Sequence, residues 1–291
     1  TAGAELKVIR LRAKNAVGVV HIIHGMAEHK ERYRNFMSFL AGQGFTVYAH
    51  DHRGHGESLN KGQRIGNFNK DDTFTNIVKD VDIIQTMILK EEKTAKVIPI
   101  GHSMGSLILR NYLQTSPEHI SKAVIMGTLP KYNKLFTSIM ITLAYGTGVF
   151  MPSQAKHRFL AKLMNDGLAK KVVNRKTKFD WLSVNQKNVE KYIKDDKSGY
   201  TYNKRFYQSF FKLIMETNLK RNIKKTPQID LLFISGALDP LSNNMRAINK
   251  LAKYYEKTTN NEHITVKPIY GARHEILNDV NKDYVYEYLK N

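Results

Sequence analysis

Short apolar runs rich in Val and Ile recur along the chain, at 6–11, 17–23, 45–49, 97–100, 123–126, 231–234 and 264–269. Each reads as a β-strand. Several are near-continuous rather than alternating, the pattern of a strand covered on both faces. Most are followed by helical periodicity. Phe74, Ile77, Val78, Val81, Ile84 and Ile88 fall on one helical face. The spacing predicts further helices over 103–114, ending ahead of Pro117, and over 245–255 and 280–289. Strands alternating with helices imply a mainly parallel sheet wrapped on both sides, with an antiparallel edge among the early strands.

The rhythm breaks between 129 and 227, where no strand–helix alternation is visible. That stretch predicts a mostly helical cap, inserted into a core made of 1–128 and 228–291. Within it, 135–155 carries no charge but includes Thr137, Ser138, Thr142, Gly146, Thr147, Gly148 and Pro152. Such a segment is a poor membrane span and predicts a buried or interfacial element. It either lines an apolar pocket over the strand ends or packs as the core of the cap.

Composition narrows the class. Apolar residues at 42% and charged residues at 25% describe an ordinary globular chain. With no cysteine there is no disulfide, thiolate metal site or cysteine nucleophile. A cytoplasmic setting is the expectation that fits. Positions 1–4 carry neither an initiator Met nor a signal pattern, and nothing rests on them. The formal charge of +20 attracts anionic surfaces, which points to peripheral contact with an anionic membrane. The basic residues are spread along the chain, densest at Lys170, Lys171, Arg175, Lys176 and Lys178, as on a solvated surface. No zinc-finger spacing or aromatic-basic RNA motif accompanies them, so no specific nucleic-acid partner is expected.

The strongest chemical signal is Gly101-His102-Ser103-Met104-Gly105. It follows the strand at 97–100 and opens a helical stretch, the strand–turn–helix setting of a G-x-S-x-G nucleophile elbow. Ser103 is the candidate nucleophile. A serine hydroxyl needs a base, and the base needs an orienting acid. Both follow in the order acid then base, each just past a strand: Asp239 in Ser235-Gly236-Ala237-Leu238-Asp239-Pro240, and His274 in Gly271-Ala272-Arg273-His274-Glu275. Carboxyl ends of strands in an open α/β sheet are where such groups converge. The rivals Asp230 and His263 precede their strands, at the wrong end. Two donors must meet the oxyanion: the backbone N–H of Met104, and that of Met26 in His24-Gly25-Met26-Ala27-Glu28-His29 after the strand at 17–23. The histidines of Asp51-His52-Arg53-Gly54-His55-Gly56-Glu57-Ser58 lack a matching ligand set, so the segment reads as a glycine-rich structural turn and no metal is expected. No P-loop or dinucleotide fingerprint is present, and no cofactor is expected.

These features together predict an α/β-hydrolase fold. The set H-G-M-A-E-H at 24–29, D-H-R-G-H-G-E-S at 51–58, G-H-S-M-G-S at 101–106 and G-A-R-H-E at 271–275 resembles the monoacylglycerol lipase and lysophospholipase group. That group lies in the serine aminopeptidase S33-like branch of the α/β-hydrolases. The resemblance covers nearly the whole chain and is weakest across 129–227. It implies the triad Ser103, Asp239 and His274, oxyanion donors on Met26 and Met104, and a cap that shapes an acyl pocket. Two departures stand out: Met26 occupies a place where the animal enzymes have a small residue, and cysteines found around their pocket have no counterpart. The expected activity is hydrolysis of lipid-like carboxylic esters. A short-chain carboxylesterase or an S33-type aminopeptidase uses the same scaffold, and a non-catalytic binding protein is the reading from a different class.

Overall fold

The alternation of apolar runs translates directly into the sheet. The structure is a computed structural model that describes residues 4–94, 96–115 and 117–291, so positions 1–3 lie outside it. The strands are β1 (Val8–Leu11), β2 (Gly18–Ile23), β3 (Phe45–His50), β4 (Ile98–His102), β5 (Lys122–Met126), β6 (Asp230–Gly236) and β7 (Ile264–Ile269). Among the described residues they form one seven-stranded sheet in the order β1-β3-β2-β4-β5-β6-β7. Every neighbouring pair is parallel except β1–β3, the antiparallel edge.

The helices are α1 (Arg34–Gly42), α2 (Phe74–Glu92), α3 (Met104–Leu113), α4 (Lys134–Gly146), α5 (Arg158–Ala169), α6 (Gln186–Lys194), α7 (Lys204–Thr217), α8 (Lys220–Ile223), α9 (Arg246–Thr259) and α10 (Lys282–Lys290). Strand β5 shows why its run is apolar throughout. Ala123 and Ile125 join the cluster that holds α2, α3 and α9, while Val124 and Met126 join the opposite cluster with α1 and α10. Boundaries differ from the pattern by up to four residues. Strand β4 continues through Gly101 and His102, which pair with Ile125 and Met126, so the ladder carries the chain to the elbow. Helix α9 runs on to Thr259 through Glu256, Lys257 and Thr258, polar positions that present no apolar face to read.

Between β5 and β6 the chain leaves the sheet and forms α4 to α8. This insertion has a small core of its own, formed by Ala169, Phe179, Trp181, Leu182, Val189 and Tyr192, but its longest helix is rooted in the sheet core. Phe206, Phe210 and Ile214 of α7 share one buried cluster with Leu107 and Ile108 of α3 and Ile77 of α2. Burying each such side chain stabilises the fold by about 1.5–3 kcal/mol. The uncharged segment is α4 and the turns after it. Thr137, Met140 and Ala144 face inward, whereas Leu135, Phe136, Ile139 and Tyr145 are exposed, and Phe150 is 97% exposed. No helix among the described residues is long and apolar enough to cross a membrane.

Candidate active site

The elbow is built by close approach. Ser103 sits between β4 and α3 with φ +52° and ψ −118°, a strained conformation for a residue with a side chain. A Cβ on Gly105 would stand 2.1 Å from the Ile23 carbonyl oxygen and 2.4 Å from that of His24, so only glycine lets α3 start this close to β2. The Ser103 N–H donates to the Met126 carbonyl at 2.9 Å, tying the turn to β5.

Asp239 follows β6 and His274 follows β7. The His274 Nδ1–H donates to Asp239 Oδ2 at 2.8 Å, with both side chains buried. The other carboxylate oxygen accepts from the Leu241 N–H at 2.8 Å, which fixes the Asp239 side chain. With Nδ1 donating, Nε2 is the acceptor nitrogen. It is buried without a hydrogen-bond partner, and Ser103 and His274 line the same cavity of about 40 Å³. The rivals are elsewhere: His263 and Asp230 lie 3.9 Å apart, both exposed, where β6 and β7 begin.

The backbone N–H groups of Met26 and Met104 have no hydrogen-bond partner among the described residues. Both residues and Ser103 line a second, larger cavity of about 550 Å³. Its walls are largely apolar, with Leu129, Met140, Leu168, Phe210, Phe211 and Ile214 among them. Gly25 allows the 24–29 loop to approach: a Cβ there would lie 3.1 Å from Ser103 Cβ and 2.5 Å from Glu28 Oε1.

Ala27, at φ +53°, is gripped from the insertion. Its N–H donates to the Tyr202 hydroxyl at 2.6 Å, and its carbonyl accepts from the Tyr192 hydroxyl at 3.0 Å and the Gly199 N–H at 2.9 Å. The Tyr202 hydroxyl in turn donates to His55 Nε2 at 2.7 Å, while His55 Nδ1–H donates to the Arg53 carbonyl at 3.1 Å. The 51–58 segment is therefore a scaffold behind the loop. Arg53 makes a buried bidentate pair with Asp80 at 2.7 and 2.6 Å, and Asp51 takes the Lys30 ammonium at 2.8 Å. Burial lowers His21 and His55 to about 3 and His52 to about 4, and pushes His24 and His50 well below the usual range, so the five rings are neutral. No group of His, Asp or Glu among the described residues is arranged to hold a metal ion.

A second buried network lies under the elbow. Burial would raise the Glu28 carboxyl, but His102, Arg32 and Tyr33 outweigh it and hold it at about 2. Burial would likewise lower His102, but Glu28 at 3.1 Å raises it, and its Nε2–H donates to the His274 carbonyl at 3.3 Å. Arg32 also pairs with Glu275 at 2.6 Å, and Asn188 donates to the same carboxylate at 2.6 Å. The base loop is held on its other side by the insertion. Arg273 Nη1 donates to the carbonyls of Asp180 (2.6 Å) and Ser183 (3.1 Å), and the Glu275 N–H donates to that of Leu182 at 2.7 Å. Tyr192, Tyr202, Asn188 and the 180–183 turn were not singled out from sequence. Their partners lie more than eighty residues away along the chain, and aromatic enrichment alone does not name them.

Comparison with known proteins places this geometry. The sequence profile described as "Serine aminopeptidase, S33" matches residues 14–281, nearly the full chain. The chain belongs to the serine aminopeptidase S33 family. Over 135 residues it is 30% identical to a monoacylglycerol lipase of Mycolicibacterium smegmatis, covering 46% of each chain. Over 111 residues it is 30% identical to the Homo sapiens monoglyceride lipase, covering 38% of this chain and 35% of that one. The matched stretches thus span less than half the length of these curated relatives. Among solved structures, a thermostable carboxyl esterase from Bacillus coagulans superposes with a TM-score of 0.87 at 23% identity, over 98% of this S33 chain and 92% of that one. A Paleococcus ferrophilus monoacylglycerol lipase superposes at 0.70 and 22% identity, over 98% and 97%. At such identities the likeness is one of fold, and the fold is that of the α/β-hydrolases.

Proposed function

We propose that this S33-family protein is a serine hydrolase of lipid-like carboxylic esters, with monoacylglycerols or lysophospholipids as the substrate class. The carrying observation is the pairing of His274 with Asp239 just past the ends of β7 and β6, where His274 and Ser103 line one cavity. In this reading His274 Nε2 takes the Ser103 proton as the hydroxyl attacks the ester carbonyl. The N–H groups of Met26 and Met104 meet the oxyanion, protonated His274 releases the alcohol, and water then cleaves the acyl-enzyme. Asp239 fixes the imidazole tautomer. None of these steps calls on a cofactor.

The insertion serves as the cap, and the large apolar cavity under α4 takes the acyl chain. An aminopeptidase would need a free carboxylate for the substrate ammonium. The acids lining the small cavity, Glu28 and Glu275, are already paired with Arg32, and Glu28 also with His102. This favours the ester. The exposed apolar residues of α4 share that helix with exposed Lys134, which supports peripheral contact with anionic lipid.

A fluorophosphonate probe labels Ser103 in the folded protein and not the Ser103→Ala variant. In a panel of monoacylglycerols, lysophospholipids, p-nitrophenyl esters and aminoacyl amides, the lipid esters are turned over best. Absence of any adduct returns the protein to the binding-protein class, and preference for amides to the peptidases.

A further inference from the structure

Trp181 is the one tryptophan of the chain, and it is 7% exposed. Its ring lies against the His274 imidazole, with centroids 4.8 Å apart and planes inclined at 46°. The contact is enforced by backbone bonds on both flanks. Arg273 holds Asp180 and Ser183, and Glu275 holds Leu182, so the residues either side of His274 are bonded to the residues around Trp181. The two rings therefore move as one body. The indole N–H is buried with no hydrogen-bond partner, a costly state for a donor. Trp181 lines both cavities that meet at Ser103. The small one is walled by Tyr192, Tyr200 and Tyr202.

We infer that Trp181 positions the base and reads the alcohol side of the substrate: its face holds the His274 imidazole in place, and its N–H donates to a hydroxyl on the alcohol portion of the bound ester. This rests on the ester-hydrolase reading. The ring keeps Nδ1 on Asp239 and Nε2 on the cavity side throughout the proton transfers. An indole face also favours the imidazolium that forms when Ser103 gives up its proton. The large cavity takes the apolar chain, which leaves the smaller and less apolar one for the alcohol. The unmet indole N–H of Trp181, on a residue that lines this cavity, calls for oxygen.

Two substitutions separate the roles. Trp181→Phe keeps a flat face and removes the N–H, whereas Trp181→Leu removes both. With a p-nitrophenyl ester, which carries no alcohol hydroxyl, Trp181→Leu lowers kcat about tenfold and Trp181→Phe leaves it within about twofold. With a monoacylglycerol of the same acyl length, Trp181→Phe raises KM about 3- to 10-fold at nearly constant kcat. A spectroscopic arm needs no turnover. All indole emission comes from Trp181, and a protonated imidazole against it quenches that emission. Emission of the wild-type protein therefore falls on acidification in a step that His274→Gln removes. The imidazole is also faced by Asp239, by His102 with Glu28 behind it, and by Glu275 with Arg32, so His102→Gln is the control and retains the step.

A folded Trp181→Leu variant with wild-type kcat, or an acid step that persists in His274→Gln, overturns the positioning role. Equal KM changes on both substrates overturn the alcohol-reading role. Circular dichroism establishes folding, and if the Leu variant is unfolded, the Phe variant and the emission titration decide. A wild type that hydrolyses neither ester sinks the ester-hydrolase reading instead, and the emission titration still tests the stack.

Discussion

The two ends of the insertion between β5 and β6 are built on opposite principles. From 134 to 169 it makes no hydrogen bond to the 24–29 loop or the His274 loop among the described residues, and many of its large side chains, among them Leu135, Ile139, Phe150 and Phe159, face outward. From 176 to 203 it is a lattice of hydrogen bonds from Tyr192, Gly199 and Tyr202 to the 24–29 loop, and from Asp180, Leu182 and Ser183 to the base loop. Apolar contacts are non-directional and tolerate sliding, whereas a hydrogen bond fixes position to a few tenths of an ångström. The first part is suited to a substrate of variable shape, and the second to holding reacting groups in register.

Breaking the polar end has the largest effect. Tyr202→Phe removes the acceptor of the Ala27 N–H and the donor to His55, so the Met26 N–H loses its aim. Steady-state kinetics on a soluble ester shows kcat reduced by roughly 10²–10³, the cost of one oxyanion donor, with KM little changed. An unchanged kcat contradicts the clamp.

Acid tests the same end through the scaffold behind it. The five buried imidazoles are neutral when folded but take protons near pH 6.5 when unfolded. Their contribution is complete above that pH and is lost as pH falls from about 6.5 toward the folded values of about 3–4 for His21, His52 and His55. The slope is about 1.4 kcal/mol per pH unit for each ring, or on the order of 2 kcal/mol each by pH 5. His102 is raised and acts in the opposite sense, one ring against five. The urea midpoint accordingly drops between pH 7 and pH 5, and a flat or rising midpoint refutes the buried neutral cluster.

The apolar end gives a smaller and more selective effect. The triple variant Leu135→Ser, Ile139→Ser, Phe150→Ser hydrolyses a soluble ester at the wild-type rate. On monoacylglycerol in anionic vesicles its rate falls about tenfold, as surface burial is lost. Equal losses on both substrates mean that α4 supports the fold rather than the surface contact. Smallest is Arg273→Lys, which keeps the charge but shortens the planar arm whose Nη1 reaches the carbonyls of both Asp180 and Ser183. A few-fold loss of kcat with unchanged vesicle binding is the expected result.

The same contrast explains what could be read in advance. Strands covered on both faces leave continuous apolar runs, and helices on a sheet leave a 3.6-residue stripe, so the sheet and its parallel sense were legible from 17–23, 97–100 and 231–234. The placement of Ser103, Asp239 and His274 at strand ends was legible because each stands just past such a run. Tyr192 and Tyr202 were not, because both bond the backbone of Ala27, and a carbonyl or N–H leaves no residue-type signature; Trp181 was not, because the ring it meets is 93 positions away along the chain. The outward face of α4 was also hidden, since an uncharged stretch reads the same whether it is buried or exposed. The 51–58 histidines were assigned to a turn, but their bond to Tyr202 crosses 147 positions and no local pattern encodes it.

The rooting of α7 has a practical side for anyone recombining parts of this protein with others. Phe206, Phe210 and Ile214 are wedged among side chains of α2 and α3, so the inserted segment does not lift off as a cartridge. A chimera that swaps everything between β5 and β6 would carry foreign plugs into the chassis. Splice points near 133 and 172, upstream of the turn that grips the His274 loop, exchange the outer flap and keep those fastenings, provided the incoming part matches Met140, Ala144 and Leu160 where they meet the chassis.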